Sequence, residues 1–421
     1  MTSTDIRGVR RRYHVLLALR FVPTGLLIAI FVLLLRDRGL SLAEMGIGFA
    51  AQGLVMLFLE LPSGGLADAV GRKPVLLIAV CFALAGSAVL LVADTVVLLA
   101  IVCALQGVFR ALDSGPLQAW FIDAALAADP DAELERDLAH ADVVICGSIA
   151  AGALIGGLLV QRGALFGIDP LVTPVVLAMA VQAASLVALV VLMDERRDRR
   201  AHGSVGRAVA AVPTVVAEGV RLIRASRLLT ALVVGELLWG FGMVAFENLL
   251  PPRLAEVSGG VEDAARILGP AVAAAWVLSA AGAAAAPWLV RRFGSGAAGC
   301  GLRLLHGLTV VAMGLAGGPI GVVVAYLATY GVHGATAPVH YGMVHRAVES
   351  SHRATVVSAN SLTCQLGGAV SGIALGVLAD ATSITTAMLV AALVMAAAAP
   401  LYLVGPERAV PSFEEPIPVH R

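Results

Sequence analysis

Apolar runs of membrane-spanning length leave a chain of this kind very few folds. A helix needs about 20 apolar residues to cross a bilayer, and the chain offers roughly a dozen such runs. Spans are expected near 14–35, 45–66, 74–94, 96–122, 140–161 and 172–193, then near 228–250, 267–289, 299–317, 319–345, 355–378 and 384–404. Inside lipid every backbone N–H and C=O must find a partner within the protein, and runs of this length satisfy that condition as helices. The expected class is therefore an all-α integral membrane protein. Composition agrees: of 421 residues 59% are hydrophobic and 14% charged, and the mean hydropathy is +0.90. A formal net charge of zero, with no basic domain set apart, gives no footprint of a nucleic-acid partner. Cys81, Cys103, Cys146, Cys300 and Cys364 all lie in apolar runs, which argues against a secreted disulfide framework. Arg10, Arg11 and Arg12 before an apolar run mimic a signal peptide. No small-x-small cleavage site follows and many further spans do, so a retained first helix is expected.

The runs divide into two sets of six. This predicts a first bundle over 1–193, a polar linker over 194–227, a second bundle over 228–404 and a tail over 405–421. Within the linker, Arg207 to Ala225 is apolar on one side and carries Arg221 and Arg224. That pattern suits a helix lying on the membrane surface, and equally a solvated connector. Most of the 29 Lys and Arg residues fall on one side when the N-terminus is placed inside, so both termini are expected in the cytoplasm of a cell-membrane protein. Arg20, Arg110 and Arg303 are exceptions that lie within spans. The halves also echo one another. Gly147, Gly152 and Gly156 recur at the same spacing as Gly367, Gly372 and Gly376, and Leu289–Gly294 sits where a charged turn stands in the first half. Parallel internal repeats of this kind are a property of several transporter folds.

That charged turn is Glu60-Leu-Pro-Ser-Gly64-Gly-Leu-Ala-Asp68-Ala-Val-Gly71-Arg72-Lys73-Pro74. Small residues let helices approach closely, Gly71 permits a tight turn, and Asp68 and Arg72 place opposite charges at helix ends. The stretch resembles the signature G-x-L-A-D-[RK]-x-G-R-[RK] of the major facilitator superfamily, met here by Gly64, Leu66, Ala67, Asp68, Gly71, Arg72 and Lys73. Ala69 departs from the signature, standing where a basic residue is usual. The resemblance implies twelve helices in two pseudo-symmetric six-helix bundles around a central cavity, working by alternating access. It also implies that Asp68 and Arg72 join an acid at the end of helix 4, here Asp123, in a cluster that locks the outward-open state. The Glu-Leu-Pro-Ser-Gly lead and the run Ser114 to Trp120 resemble multidrug-type, proton-coupled exporters.

Charges deep in a span are expensive and mark function or a partner. Asp113 lies roughly 15 Å deeper in its helix than Asp123. Arg110, three residues earlier, shares a face with it, so the two either neutralise each other or tune a proton or cation site. The helix-4 motif R-x-x-Q-G of proton-coupled members is matched by Gln106 and Gly107 but has Cys103 in place of its Arg. Glu60 either carries a proton or pairs with a neighbour such as Arg20. Glu236 stands deep in helix 7 beside Trp239 and Phe241, whereas Glu247, near Pro251, is expected at the outer interface. His333 falls near mid-span as a titrating group or a hydrogen-bonded packing residue, and His340 nearer the inner side. Gly152, Gly156 and Gly157 match part of an exporter motif in which Ala153 replaces the usual Pro. With Gly372 and Gly376 they are first of all a helix-packing set.

No G-x-x-x-x-G-K-[ST] stretch, zinc-ligand spacing or hydrolase motif stands out. The expectation is thus a monomeric transporter without a cofactor and not an enzyme. It would export a small apolar or cationic compound in exchange for protons. Proton-coupled uptake of an organic metabolite and a non-transporting receptor remain as alternatives.

Overall fold

The protein is described from a computed structural model covering residues 6–165, 167–195, 214, 217, 219–349 and 352–405; within it the side chains of 60–65, 68, 69 and 354 are not described. Every named element among these residues is helical. The first half comprises α1 (Ile6–Ile28), α2 (Phe31–Asp37), α3 (Leu42–Val70), α4 (Arg72–Leu90), α5 (Val96–Asp113), α6 (Pro116–Ala128), α7 (Leu134–Gln161) and α8 (Thr173–Leu192). The second comprises α9 (Arg227–Glu247), α10 (Leu250–Ser258), α11 (Val261–Phe293), α12 (Ser295–Leu315), α13 (Pro319–Arg346), α14 (Arg353–Ala381) and α15 (Ile384–Ala397), closed by a 3-10 turn over Ala399–Leu403.

These helices supply 12 stretches long and apolar enough to cross a membrane, one for each expected span. The helices overrun the apolar runs: the fifth starts at Leu134 rather than 140, and the fourth continues to Ala128 rather than 122. Helical hydrogen bonding continues through the charged first turn at 134–139 and past Asp123, where a hydropathy run is cut by charge. The linker helix expected over 207–225 lies largely outside the described residues, although 219–225 is helical, and the tail beyond 405 lies outside them too.

Local signals explain where helices begin and break. Ser41 and Glu44 form a reciprocal capping box at the start of α3. Thr95, Ser226 and Ser383 each cap a helix by accepting a backbone N–H. Gly71, at φ +106°, ends α3 and starts α4 in one residue, a conformation that a side chain disfavours. Gly294, at φ +81°, makes the equivalent turn between α11 and α12, so the two halves share this device.

The bundle has two ends: the motif end, which carries the Gly71 turn, and the distal end, which carries the turn at 38–41. The halves meet through α3 against α14 and α7 against α11. At the distal end a single apolar cluster runs across both halves, with Leu33, Met45, Leu99 and Val175 from the first and Phe246, Leu268, Val322 and Ile384 from the second. At the motif end the clusters separate. Tyr13, Leu76, Phe121 and Leu189 belong to the first half, and Leu228, Val344, Val356 and Tyr402 to the second.

Small residues set the distal contact. A Cβ at Gly157 would stand 3.0 Å from the Gly269 Cα, and one at Gly372 would stand 3.5 Å from the Gly46 Cα. Gly376 faces the Leu42 and Ala43 backbone as closely. Gly152 and Gly156 instead pack on α1 at Gly25 and Leu26, within the first half. The repeat is thus imperfect: a side chain at Gly147 would meet nothing, whereas its counterpart Gly367 abuts Leu237 and Phe241.

Candidate functional site

Three groups of charged residues stand out, one at the motif end and two within the span. At the motif end Arg72 Nη1 donates to Asp123 Oδ2 at 2.5 Å, tying the start of α4 to α6. The Arg72 and Lys73 backbone N–H groups donate to the two Glu195 carboxylate oxygens at 2.7 and 3.0 Å. An anion at a helix N-terminus satisfies unpaired donors and the helix dipole together. Lys73 Nζ reaches the Val190 and Met193 carbonyls, both at 2.8 Å, so a cation sits at the C-terminus of α8. Trp120 Nε1 and Arg12 both bond Asp194, closing the same knot. Asp68, Glu60 and Gly64, singled out in the sequence, have side-chain positions outside the described residues. The Arg72–Asp123 pair is intact while the distal ends are packed, so in this conformation it is a brace within the first half.

Within the first half's span, Asp113 is 2% exposed and forms an ion pair with Arg20 of α1. Arg20 rather than Arg110 is thus the partner of Asp113, a correction to the pairing that the shared helix face suggested, while the alternative of Arg20 with Glu60 falls on a side chain outside the described residues. Asp113 is the last residue of α5, and the chain leaves the helix at Ser114 and at Gly115 with φ +96°. Arg110 and Asp113 remain three apart within α5, so it is the placement of Arg20 on α1, not the shared helix face, that decides which cation Asp113 meets. Arg110 itself is exposed, and its charge acts on Glu247 of α9 in the other half.

The second half holds the larger assembly. Arg303 of α12, 1% exposed, donates from Nη2 to Glu236 Oε2 at 3.3 Å and to the Tyr402 hydroxyl at 2.7 Å. Its Nε reaches the same hydroxyl at 3.1 Å, and its guanidinium lies 5.3 Å from the Trp239 ring centroid. His340 extends the network: Nδ1 is 2.8 Å from the Tyr402 hydroxyl, and Nε2 is 3.2 Å from Asn360 Oδ1 and 3.5 Å from Glu236 Oε2. Five segments, α9, α12, α13, α14 and the closing turn, thereby meet in one buried network in which Arg303 and His340 reach the Glu236 carboxylate.

Towards the distal end an aromatic wall continues the network. His333 stacks on Trp239 at 5.5 Å and lies 6.0 Å from His306 and 5.5 Å from Tyr330. Glu247, expected at the outer interface, is half-buried and accepts the Tyr330 hydroxyl at 2.8 Å. Of the sequence candidates, Glu236 enters the network, and His333 stands beside it. Arg303, Tyr402, Asn360, His340 and His306 were missed as a site. The available signal was Arg303 itself, an arginine inside an apolar run, whose partners lie up to 99 positions away in sequence.

Comparison with known proteins agrees with the architecture. A family profile for the Major Facilitator Superfamily matches residues 14–336. No curated protein sequence matches the chain. The crystal structure of the nucleoside transporter NupG superposes with a TM-score of 0.76 at 13% identity, over 94% of this chain and 98% of that one. A bacterial homologue of the human lysosomal transporter Spinster, inward-facing and occupied, gives 0.71 at 14% identity, covering 94% and 95%. A POT family transporter in complex with 5-aminolevulinic acid gives 0.68 at 15% identity, again covering 94% and 95%.

Proposed function

Because the chain belongs to the Major Facilitator Superfamily, we propose that this multi-pass membrane transporter is a secondary active carrier that exports a small apolar or cationic compound in exchange for protons. Family and structural neighbours indicate transport rather than enzymatic chemistry. The observation that carries the proton-coupled reading is the buried Glu236 carboxylate, shared between Arg303 at 3.3 Å and the titratable His340 at 3.5 Å. With the carboxylate held against the fixed Arg303 cation, the imidazole beside it offers a place for a proton to arrive and leave while no buried charge loses its partner. Asp113 with Arg20 supplies a second such acid in the first half, and Glu60 is retained as a third candidate.

In this proposal the motif end faces the cytoplasm and both termini lie there, in the cell membrane. Residues 1–193 and 228–404 move as two bundles joined by the 194–227 linker, with 405–421 as a tail, in a monomer. The continuous distal cluster then corresponds to an inward-facing conformation. The brace of Arg72, Lys73 and Asp123, with Asp68 and the turn residues Gly64 and Gly71, would hold the first half rigid as the halves rock. Arg110, Glu247 and His333 would line the route between them.

The test is transport by purified protein in liposomes under an imposed proton gradient, with lipophilic cations and antibiotics as candidate cargo. Gradient-dependent accumulation in inverted vesicles, abolished by Glu236→Gln, is the expected result. Entry of polar metabolites instead would move the assignment to uptake, and flux indifferent to the proton gradient would overturn proton coupling.

A further inference from the structure

The N-terminus of α3 is capped by the opposite half of the molecule. Asp380, one residue before the end of α14, accepts the Leu42 N–H at 3.2 Å on one carboxylate oxygen and the Ala43 N–H at 2.8 Å on the other. Leu42 and Ala43 are the first residues of α3. The next two donors are served from within the first half, since Glu44 N–H goes to the Ser41 hydroxyl and Met45 N–H to the Ser41 carbonyl. The first turn of α3 is therefore complete only while the two halves are together at this end.

Its surroundings make the contact directional. Arg38 donates to the Leu90, Leu91 and Ala93 carbonyls at 2.6, 2.9 and 3.0 Å, anchoring the turn before α3 to the end of α4. The capping box holds the helix start in place, so the two N–H groups point from a rigid platform. On the other side Gly376, one turn before Asp380, lets α14 approach the Leu42 backbone, and Gly372 does the same at Gly46. An ionised carboxylate on a helix N-terminus makes charge-assisted hydrogen bonds and meets the positive end of the dipole. Asp380 is exposed, so parting the halves returns it and both N–H groups to water.

We infer that Asp380 is a distal latch: it favours the conformation closed at this end and must release the first turn of α3 each time the transporter opens there. It acts by positioning the halves and touches no cargo. Replacing its charge shifts the ratio of distal-open to distal-closed molecules by on the order of ten-fold, the equivalent of about 1.4 kcal/mol.

Spin labels on the exposed distal turns at positions 94 and 317, in a protein whose native cysteines are replaced, report the separation of the halves. Asp380→Asn and Ala43→Pro should each raise the distal-open fraction. Proline is tolerated in a first helical turn and removes the Ala43 donor without touching the carboxylate. The double variant should add little to either single one, because both act on one contact, and Asp380→Glu should restore part of the closed population. Unchanged distance distributions in both single variants, or fully additive effects, overturn the latch. A wild-type protein that never populates a distal-open state, with or without cargo, would instead count against alternating access itself.

Discussion

The two halves treat a buried acid in different ways. In the first, among the described residues, Asp113 has one ion-pair partner, Arg20, whose side chain is 23% exposed. In the second, Glu236 is bound into a network in which Arg303 is 1% exposed and four other helical segments contribute. A pair with a hydrated member can part and re-form at modest cost, since the arginine finds water when the acid is neutralised. A network buried away from water resists separation, because removing one member strands a charge there. The first half is thus suited to a charge that switches partners, and the second to a charge that stays in place.

Arg303→Met should break this contrast most severely. It leaves Glu236 without its cation, and a loss of about 3–5 kcal/mol is expected from the unpaired buried charge. Denaturant unfolding in detergent measures it, and adding Glu236→Gln should recover part of the loss. A stable single variant would mean that the network is no more binding than the Arg20 pair. Asp113→Asn should cost less, about 1–2 kcal/mol, because Arg20 keeps its access to water. Gradient-driven flux should fall by a larger factor than stability does. Asp123→Asn should be the mildest. The Arg72–Asp123 partners are 26% and 66% exposed, and such pairs contribute about 0–1 kcal/mol. Slower turnover with an unchanged melting temperature is the expected outcome, and an unaltered rate would remove the brace from the mechanism.

The glycines sharpen the same comparison. Gly152 and Gly372 hold matching places in the repeat, yet the first packs within its half on α1 and the second packs across the interface on Gly46. A shared sequence spacing therefore does not assign a shared contact. Which neighbour a small residue admits depends on how the halves are tilted, and that tilt is what alternating access changes.

Much of the fold was legible in the chain. Twelve apolar runs and the turns at Gly71 and Gly294 are local matters: lipid demands helices, and short-range chemistry decides where they stop. The charged turn could also be read as far as the Arg72–Asp123 pair, because family resemblance supplied the partner. Glu195 at the start of α4 could not, since it comes from the segment just past the end of α8. Depth within a span marked Asp113 and Glu236 as costly charges but could not choose their partners. Only the packed bundle decided that Arg20 rather than Arg110 meets Asp113, that Arg303 and Tyr402 surround Glu236, and that Asp380 completes a helix in the opposite half. The physical reason is range. Hydropathy and capping act between residues close in sequence, whereas an ion pair in a membrane is chosen by whichever helix the packing brings within a few ångströms.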